Sequence, residues 1–296
     1  PRSTPLYSSA ASDVYKRQTS DHHYVFPPGL EKAIDWQVEE AQLLGIRVVL
    51  CRGSMDRSQK NGGLPPDSVV QTSDEILKDS ERLINRYHNS NEGAMTQIAL
   101  APCSPFSVSE EVMHESSKLS KKHSVLLHTH LAETEDENSF CLEKMGCRPL
   151  EYLEQVGWLT NRTWLAHGIH FTDKEIQKLG ASKTGIAHCP SSNMLLSSGV
   201  CQVPELEKSG VPVGIGVDGS ASNDTSNIMQ EVRQAFLLQR LHYGSDVTHL
   251  SALGWATEGG ANVLRRPEIG KIKSGMQSDL ALFKFCLLYT SDAADE

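Results

Sequence analysis

Four apolar runs in this chain each end in a side chain able to bind a metal or carry a proton. That repetition narrows the fold more than any other feature. Val125-Leu-Leu-His128-Thr-His130-Leu-Ala-Glu133 passes from apolar residues into two histidines and a carboxylate. Thr163-Trp-Leu-Ala-His167-Gly168, Thr184-Gly-Ile-Ala-His188 and Val211-Pro-Val-Gly-Ile-Gly-Val-Asp218-Gly219 repeat the arrangement. Short, continuously apolar runs mark strands of a parallel sheet, covered on both faces. Side chains alternate along a strand, so His128 and His130 share a face. Glu133 has the other parity and is expected past the strand end, where the chain turns over a site.

Stretches of helical spacing separate the runs. Helices are expected over 29–45, over 73–89 with Thr72 or Ser73 as cap, and over 110–123 with Ser107 or Ser109 as cap. Helical sequence continues after Glu133 to about residue 156 and returns near 226–242 and 248–264. Further strands are expected at Thr19 to Phe26, Arg47 to Gly53 and Gln97 to Cys103, which brings the count to seven. The loop at Asn61 to Pro66 is long enough to serve as a lid. Ile269 to Phe285 reads as a turn and a strand. Alternating strands and helices predict an α/β fold with a parallel sheet. Polar chemistry at the C-terminal ends of several consecutive strands is the habit of the (β/α)8 barrel of TIM type, whereas doubly wound sheets concentrate it at one switch point. The expectation is a truncated barrel without its first strand.

The chain has 296 residues, enough for one large domain with a sizeable core. Its formal charge of −9 argues against nucleic acid or an anionic membrane as a partner. No apolar run approaches membrane-spanning length. Seven cysteines at scattered spacings point to a reducing, cytoplasmic setting rather than to a disulfide framework. Residues 1–18 and 286–296 resemble translated sequencing-adaptor read-through and are set apart as foreign tails. Residues 19–285 are then expected to be an internal piece of a longer protein, with 19–268 forming strands two to eight of the barrel.

His130, His167, His188 and Asp218 would converge at the mouth of such a barrel. Imidazole and carboxylate ligands suit Zn2+ or Fe2+, at ~2.0–2.2 Å for zinc. One histidine at a strand end is usually structural; the recurrence at equivalent places favours a site. Glu133 would hang over the metal as a proton carrier. Arg52, Cys103, Ser104, Phe106 and Asn193 lie near strand tips and are candidates to read a substrate, with Phe106 as a stacking face. Gly214-Ile-Gly-Val-Asp-Gly219 fits the dinucleotide fingerprint, but Asp218 would lie against pyrophosphate, so the run is read as a glycine-rich inner strand. No nucleophile elbow or Walker loop is present, and Pro102-Cys103 lacks the second cysteine of the small zinc deaminases.

His130-Leu-Ala-Glu133, Ala166-His167-Gly168, His188-Cys-Pro-Ser-Ser-Asn193 and Val217-Asp218-Gly219-Ser-Ala-Ser-Asn together resemble the amidohydrolase superfamily. The branch is the cytosine-deaminase-like one, which includes guanine deaminase and the triazine hydrolases. The resemblance implies His130 and Asp218 as ligands of one divalent metal, zinc first and iron second. It implies Glu133 as acid/base for a ring nitrogen, His167 as the group polarising substrate or water, and Asp218 as a second proton acceptor. The family's His-x-His pair of strand one has no counterpart here, since only His130 of His128-Thr-His130 matches a ligand. Residues 269–285 would be the remnant of a small β-sandwich domain. The implied activity is hydrolytic deamination of an oxidised purine (8-oxoguanine) by metal-activated water. Guanine or isoguanine deamination and triazine amino- or chlorohydrolysis are the alternatives, and a catalytically incomplete fragment is the alternative of another class. The implied partner is a small heterocycle, and the family habit is a homodimer.

Overall fold

A computed structural model describes residues 18–281. Seven strands are present: β1 (Gln18–His23), β2 (Arg47–Ser54), β3 (Thr96–Pro102), β4 (Leu127–Leu131), β5 (Thr163–His167), β6 (Gly185–His188) and β7 (Val213–Ile215). They form one sheet in the order β1 to β7, and every adjacent pair is parallel. Helices connect consecutive strands, as parallel pairing requires, and a long one follows β7. The chief ones are α1 (Ala33–Leu44), α2 (Ser73–Tyr87), α3 (Glu110–His123), α4 (Glu135–Met145), α5 (Pro149–Gln155), α6 (Asp173–Ser182), α7 (Pro190–Leu195), α8 (Val203–Lys208) and α9 (Ile228–Tyr243). This is the curled α/β sheet of a TIM-like barrel, as the alternation predicts.

Local chemistry sets the helix starts. Thr72 and Glu75 form a reciprocal capping box on α2, and Thr172 and Glu175 do so on α6. The Ser109 hydroxyl caps α3 by accepting from Val112 N. Gly45 closes α1 in the left-handed conformation at φ 66°.

Strand parity divides the core in two. Val48, Leu50, Ile98, Leu100, Leu127, Leu131 and Leu165 face the helices and belong to the large outer cluster. Val49, Cys51, Ala99, Ala101 and Trp164 face the other way, into a small inner cluster. The inner face is lined largely by small residues, as the confined interior of a curled sheet demands. Gly259 and Gly260 bring the last helical turns onto β7. A Cβ on Gly259 would meet Val213 O at 2.2 Å, and one on Gly214 would meet Gly260 Cα at 3.1 Å. Trp255–Gly259 is a π-helical turn, and it delivers this close approach.

Three expectations need correction. The run 211–219 forms a strand only over Val213–Ile215, because Gly216 makes one more sheet bond, to His188 O at 2.9 Å, and the chain then turns away. Residues 269–281 form turns rather than a strand, and 282–285 lie outside the described residues. Gln18 pairs with Arg47, so β1 begins one residue inside the stretch set apart as foreign; the rest of both tails lies outside the described residues. The loop around Asn61 closes on itself, with Gly63 N donating to Ser58 O and Gln59 N to Pro65 O, both at 2.9 Å, and its entry is tied by Asp56 N and Arg57 N donating to Ser107 O at 3.1 Å.

Candidate metal centre

The C-terminal ends of β4, β5 and β7 bring His130, His167 and Asp218 together, with one ligand atom of each within 4.8 Å of the others. His130 arrives by simple alternation, on the inner face with His128. His167 does not: it shares the parity of Leu165, which faces the helices. A left-handed backbone at His167, φ 72°, turns its ring over the mouth instead. Asp218 lies past β7 and is also left-handed, at φ 63°.

Each of the three is oriented by a second group. His130 Nδ1 lies 2.7 Å from Cys103 O and His167 Nδ1 lies 2.9 Å from Asn193 Oδ1. Both partners are acceptors, so Nδ1 carries the proton in each ring; Nε2 of His130 is left to bind a cation, and Nε2 of His167 faces Glu133 and Asp218. Asp218 Oδ2 accepts from Ser192 Oγ at 2.5 Å and Ser222 Oγ at 3.2 Å, while Oδ1 accepts from Gly219 N at 2.8 Å. Burial opposes the charge on Asp218, but the Ser192 bond, the nearby His167 and His130 and the Gly219 amide outweigh it and hold its pKa below the usual value. Burial likewise opposes a charge on His130, yet the Cys103 thiol and carbonyl hold its pKa above the ordinary one. The His130 imidazole and the Asp218 carboxylate, each with an outer partner in place, are donors that fit zinc, and His167 stands beside them.

Glu133 stands beside this group. Its Oε2 is 3.6 Å from His167 Nε2, and its Oε1 accepts from Ser198 Oγ at 3.4 Å. His167 Nε2 also lies 4.0 Å from Asp218 Oδ2, so two carboxylates flank one imidazole edge.

The remaining candidates separate. His188 is fully buried but faces the helices, with Nε2 3.5 Å from Gln239 Nε2 on α9; the parity it shares with Ile186 keeps it out of the centre. Arg52 is likewise outward. It donates to Asp79 Oδ2 at 3.0 Å and Gln71 Oε1 at 2.8 Å, and its guanidinium lies over Phe26. Asn193 is fully buried behind His167, which leaves it no face toward a substrate. Cys103 sits beneath His130, with Sγ 3.9 Å from Nδ1. The Ser104 hydroxyl pairs with Ser107 at 3.0 Å, and the Phe106 ring packs 4.8 Å from Phe140 at the rim.

Two residues escape the motif reading. His22, at the end of β1, stacks on His130 at 4.9 Å, and His130 stacks on His167 at 5.5 Å, so three imidazoles form a column. Tyr24 sets its ring edge against His130 at 6.0 Å. Burial, then Cys103, Asp218 and Glu133 nearby, push its phenol up to about 12. The signal available in sequence is an aromatic following two histidines at a strand end. Buried acids also brace the mouth. Glu231 accepts from Ser191 N at 3.2 Å and Asn223 Nδ2 at 2.7 Å, which ties the start of α7, with Ser192, to the loop after Asp218.

Comparison with known proteins agrees with this picture. The chain is 57% identical over 277 residues to the 8-oxoguanine deaminase of Pseudomonas aeruginosa, covering 93% of this chain and 62% of that protein. It is 38% identical to the hydroxydechloroatrazine ethylaminohydrolase of a Pseudomonas species, covering 88% of this chain and 54% of that enzyme. Among solved structures, the atrazine chlorohydrolase of Arthrobacter aurescens complexed with zinc superposes with a TM-score of 0.84 at 30% identity, over 88% of this chain and 59% of the other. The chain therefore spans a little over half the length of these relatives. No helix among the described residues is long and apolar enough to cross a membrane. The pattern of the Amidohydrolase family matches residues 17–294, and the chain belongs to that family.

Proposed function

We propose that the protein of which these residues form part is a metal-dependent aminohydrolase that deaminates an oxidised purine, 8-oxoguanine first. The observation that carries this reading is the convergence of His130, His167 and Asp218 within 4.8 Å, with Glu133 3.6 Å from His167. The similarity to an 8-oxoguanine deaminase at 57% identity supports the substrate.

His130 through Nε2 and Asp218 through a carboxylate oxygen would hold one divalent cation, zinc by donor type. Such a cation lowers the pKa of a bound water from 15.7 to about 7, which supplies a nucleophile at neutral pH. The chain's own groups do the rest. Glu133 carries a proton to the ring nitrogen next to the attacked carbon, which removes the aromatic resistance to attack. His167, flanked by Glu133 and Asp218, polarises the reacting group and steadies the charge that develops there. Asp218 accepts the second proton and returns it to the departing ammonia. Phe106, at the rim, offers a flat apolar face to the heterocycle.

Expression of the complete reading frame, with metal content measured beside ammonia release, tests the proposal. The substrates are 8-oxoguanine, guanine, isoguanine and aminotriazines. Bound zinc and fastest turnover of 8-oxoguanine are expected. Turnover confined to triazines would reassign the substrate, and absence of both metal and turnover would remove the enzyme reading.

A further inference from the structure

Among the described residues three helices begin with a capping box, at Thr72–Glu75, Thr172–Glu175 and Thr248–Ser251, each in the ordinary register. A third Thr-x-x-Glu breaks the rule. Thr134 is the N-cap of α4 and Glu137 is the third residue of that helix, so the pattern is present in sequence. Yet Thr134 makes no side-chain cap bond. Glu137 reaches past it, one oxygen accepting from Ala132 N at 2.9 Å and the other from Glu133 N at 3.2 Å. The side chain is 1% exposed, an expensive place for a carboxylate with no cation beside it. Ala132 between these contacts is left-handed, at φ 54°. The turn that projects Glu133 is therefore a strained backbone gripped at two successive amides by one buried acid.

We propose that Glu137 is a positioning residue for Glu133. Its two backbone bonds hold the 132–133 turn so that the Glu133 carboxylate faces His167, and the helix cap has been given up for that purpose. This rests on the reading of Glu133 as the proton carrier. A cap serves α4 alone and would return to Thr134; bonds to Ala132 and Glu133 serve the residues before the helix. Glutamine at 137 keeps the shape but offers one acceptor and one N–H₂ group, so one of the two amides loses its partner.

Two measurements test this. The first is amide hydrogen exchange on the metal-free protein. The wild type should protect the Ala132 and Glu133 amides, Glu137→Gln should lose protection at one of them, and the rest of β4 and α4 should be unchanged. The second is a cycle of Glu133→Gln, Glu137→Gln and the double variant in the zinc-loaded full-length protein. Glu137→Gln should lower kcat by ~10–100-fold at nearly constant KM and zinc content. In the Glu133→Gln background the same change should cost less than about twofold, because its effect has nowhere else to act. Unchanged protection at both amides, or the full loss repeated in the Glu133→Gln background, would overturn the proposal. A wild type that releases no ammonia would defeat the functional reading alone, and the exchange experiment would still decide the role of Glu137 in holding the turn.

Discussion

Asn193 Oδ1 accepts a hydrogen bond from His167 Nδ1 at 2.9 Å, deep behind the metal group. This one contact decides which nitrogen of His167 faces Glu133 and Asp218. It gives the fully buried Asn193 a partner at Oδ1, while its Nδ2 has none among the described residues.

Replacing Asn193 with alanine should therefore act on catalysis through His167. The imidazole loses its fixed tautomer and its buried N–H loses an acceptor, at a cost of about 1–3 kcal/mol in stability. Activity should fall by roughly 10–100-fold. Steady-state rates and thermal unfolding of the purified variant, compared with the wild type, check both.

The metal group should divide by function. His130→Ala and Asp218→Asn should abolish zinc retention on dialysis, while His167→Gln should keep zinc and lose roughly 10²–10⁴-fold in kcat. His188→Gln should leave zinc content untouched, since His188 faces α9. A cation needs the His130 Nε2 unprotonated, so zinc affinity should weaken as the pH falls, and the upward shift of the His130 pKa moves that weakening to higher pH. Zinc stoichiometry and calorimetric titration at several pH values decide this.

Burial, and then the charge of His167, depress His188 to about 3. The folded pKa lies below the unfolded one, so this contribution to stability is complete above ~6.5 and is lost as the pH falls toward 3. His188→Gln should flatten the acid limb of stability between those values by a few kcal/mol at most. Urea unfolding across that pH range gives the slope, and an unchanged slope would refute the assignment.

Arg52→Met should destabilise the fold without altering substrate affinity. The guanidinium is buried among Asp79, Gln71 and Phe26, and its loss strands Asp79 with Arg82 alone. A cost of ~3–5 kcal/mol is expected for breaking a buried pair, the lower end applying because Asp79 keeps Arg82. A fall in melting temperature at constant KM is the expected result.

Tyr24→Phe removes only a hydroxyl. Held up to about 12, that phenol stays a proton donor throughout the working range. Removal of this donor beside His130 should lower kcat/KM by roughly tenfold, with zinc content and stability preserved.

Much of this arrangement is legible in the residue pattern itself. The strand-helix alternation gives seven parallel strands, and period-two parity places His130 correctly on the inner face. The same parity, applied to His167 and His188, puts both outside. Recurrence at strand ends puts both at the centre, and each rule is right once. What separates them is a single dihedral, φ 72° at His167, which no side-chain pattern encodes. Proximity to strand tips draws Arg52 and Asn193 toward the substrate, although Arg52 follows the parity of Leu50. Glu137 is concealed by imitation, because Thr134-x-x-Glu137 reads as an ordinary cap. His22 and Tyr24 become visible only when β1 lies beside β2 in register, His22 opposite Cys51.

Ala132, His167 and Asp218 are all left-handed, one at the end of each strand that feeds the centre. Non-glycine residues in that region cost of order 1–3 kcal/mol apiece, so the mouth holds several kcal/mol that the rest of the fold must supply. Breeding this protein for heat resistance would thus meet a conflict. Glycine would relieve each of the three, but at His167 and Asp218 it deletes the functional side chain itself, and at Ala132 it slackens the turn that aims Glu133. Variants selected only for survival at high temperature should drift toward a well-folded, catalytically silent scaffold, and robust active ones should gather their substitutions on the outer helices.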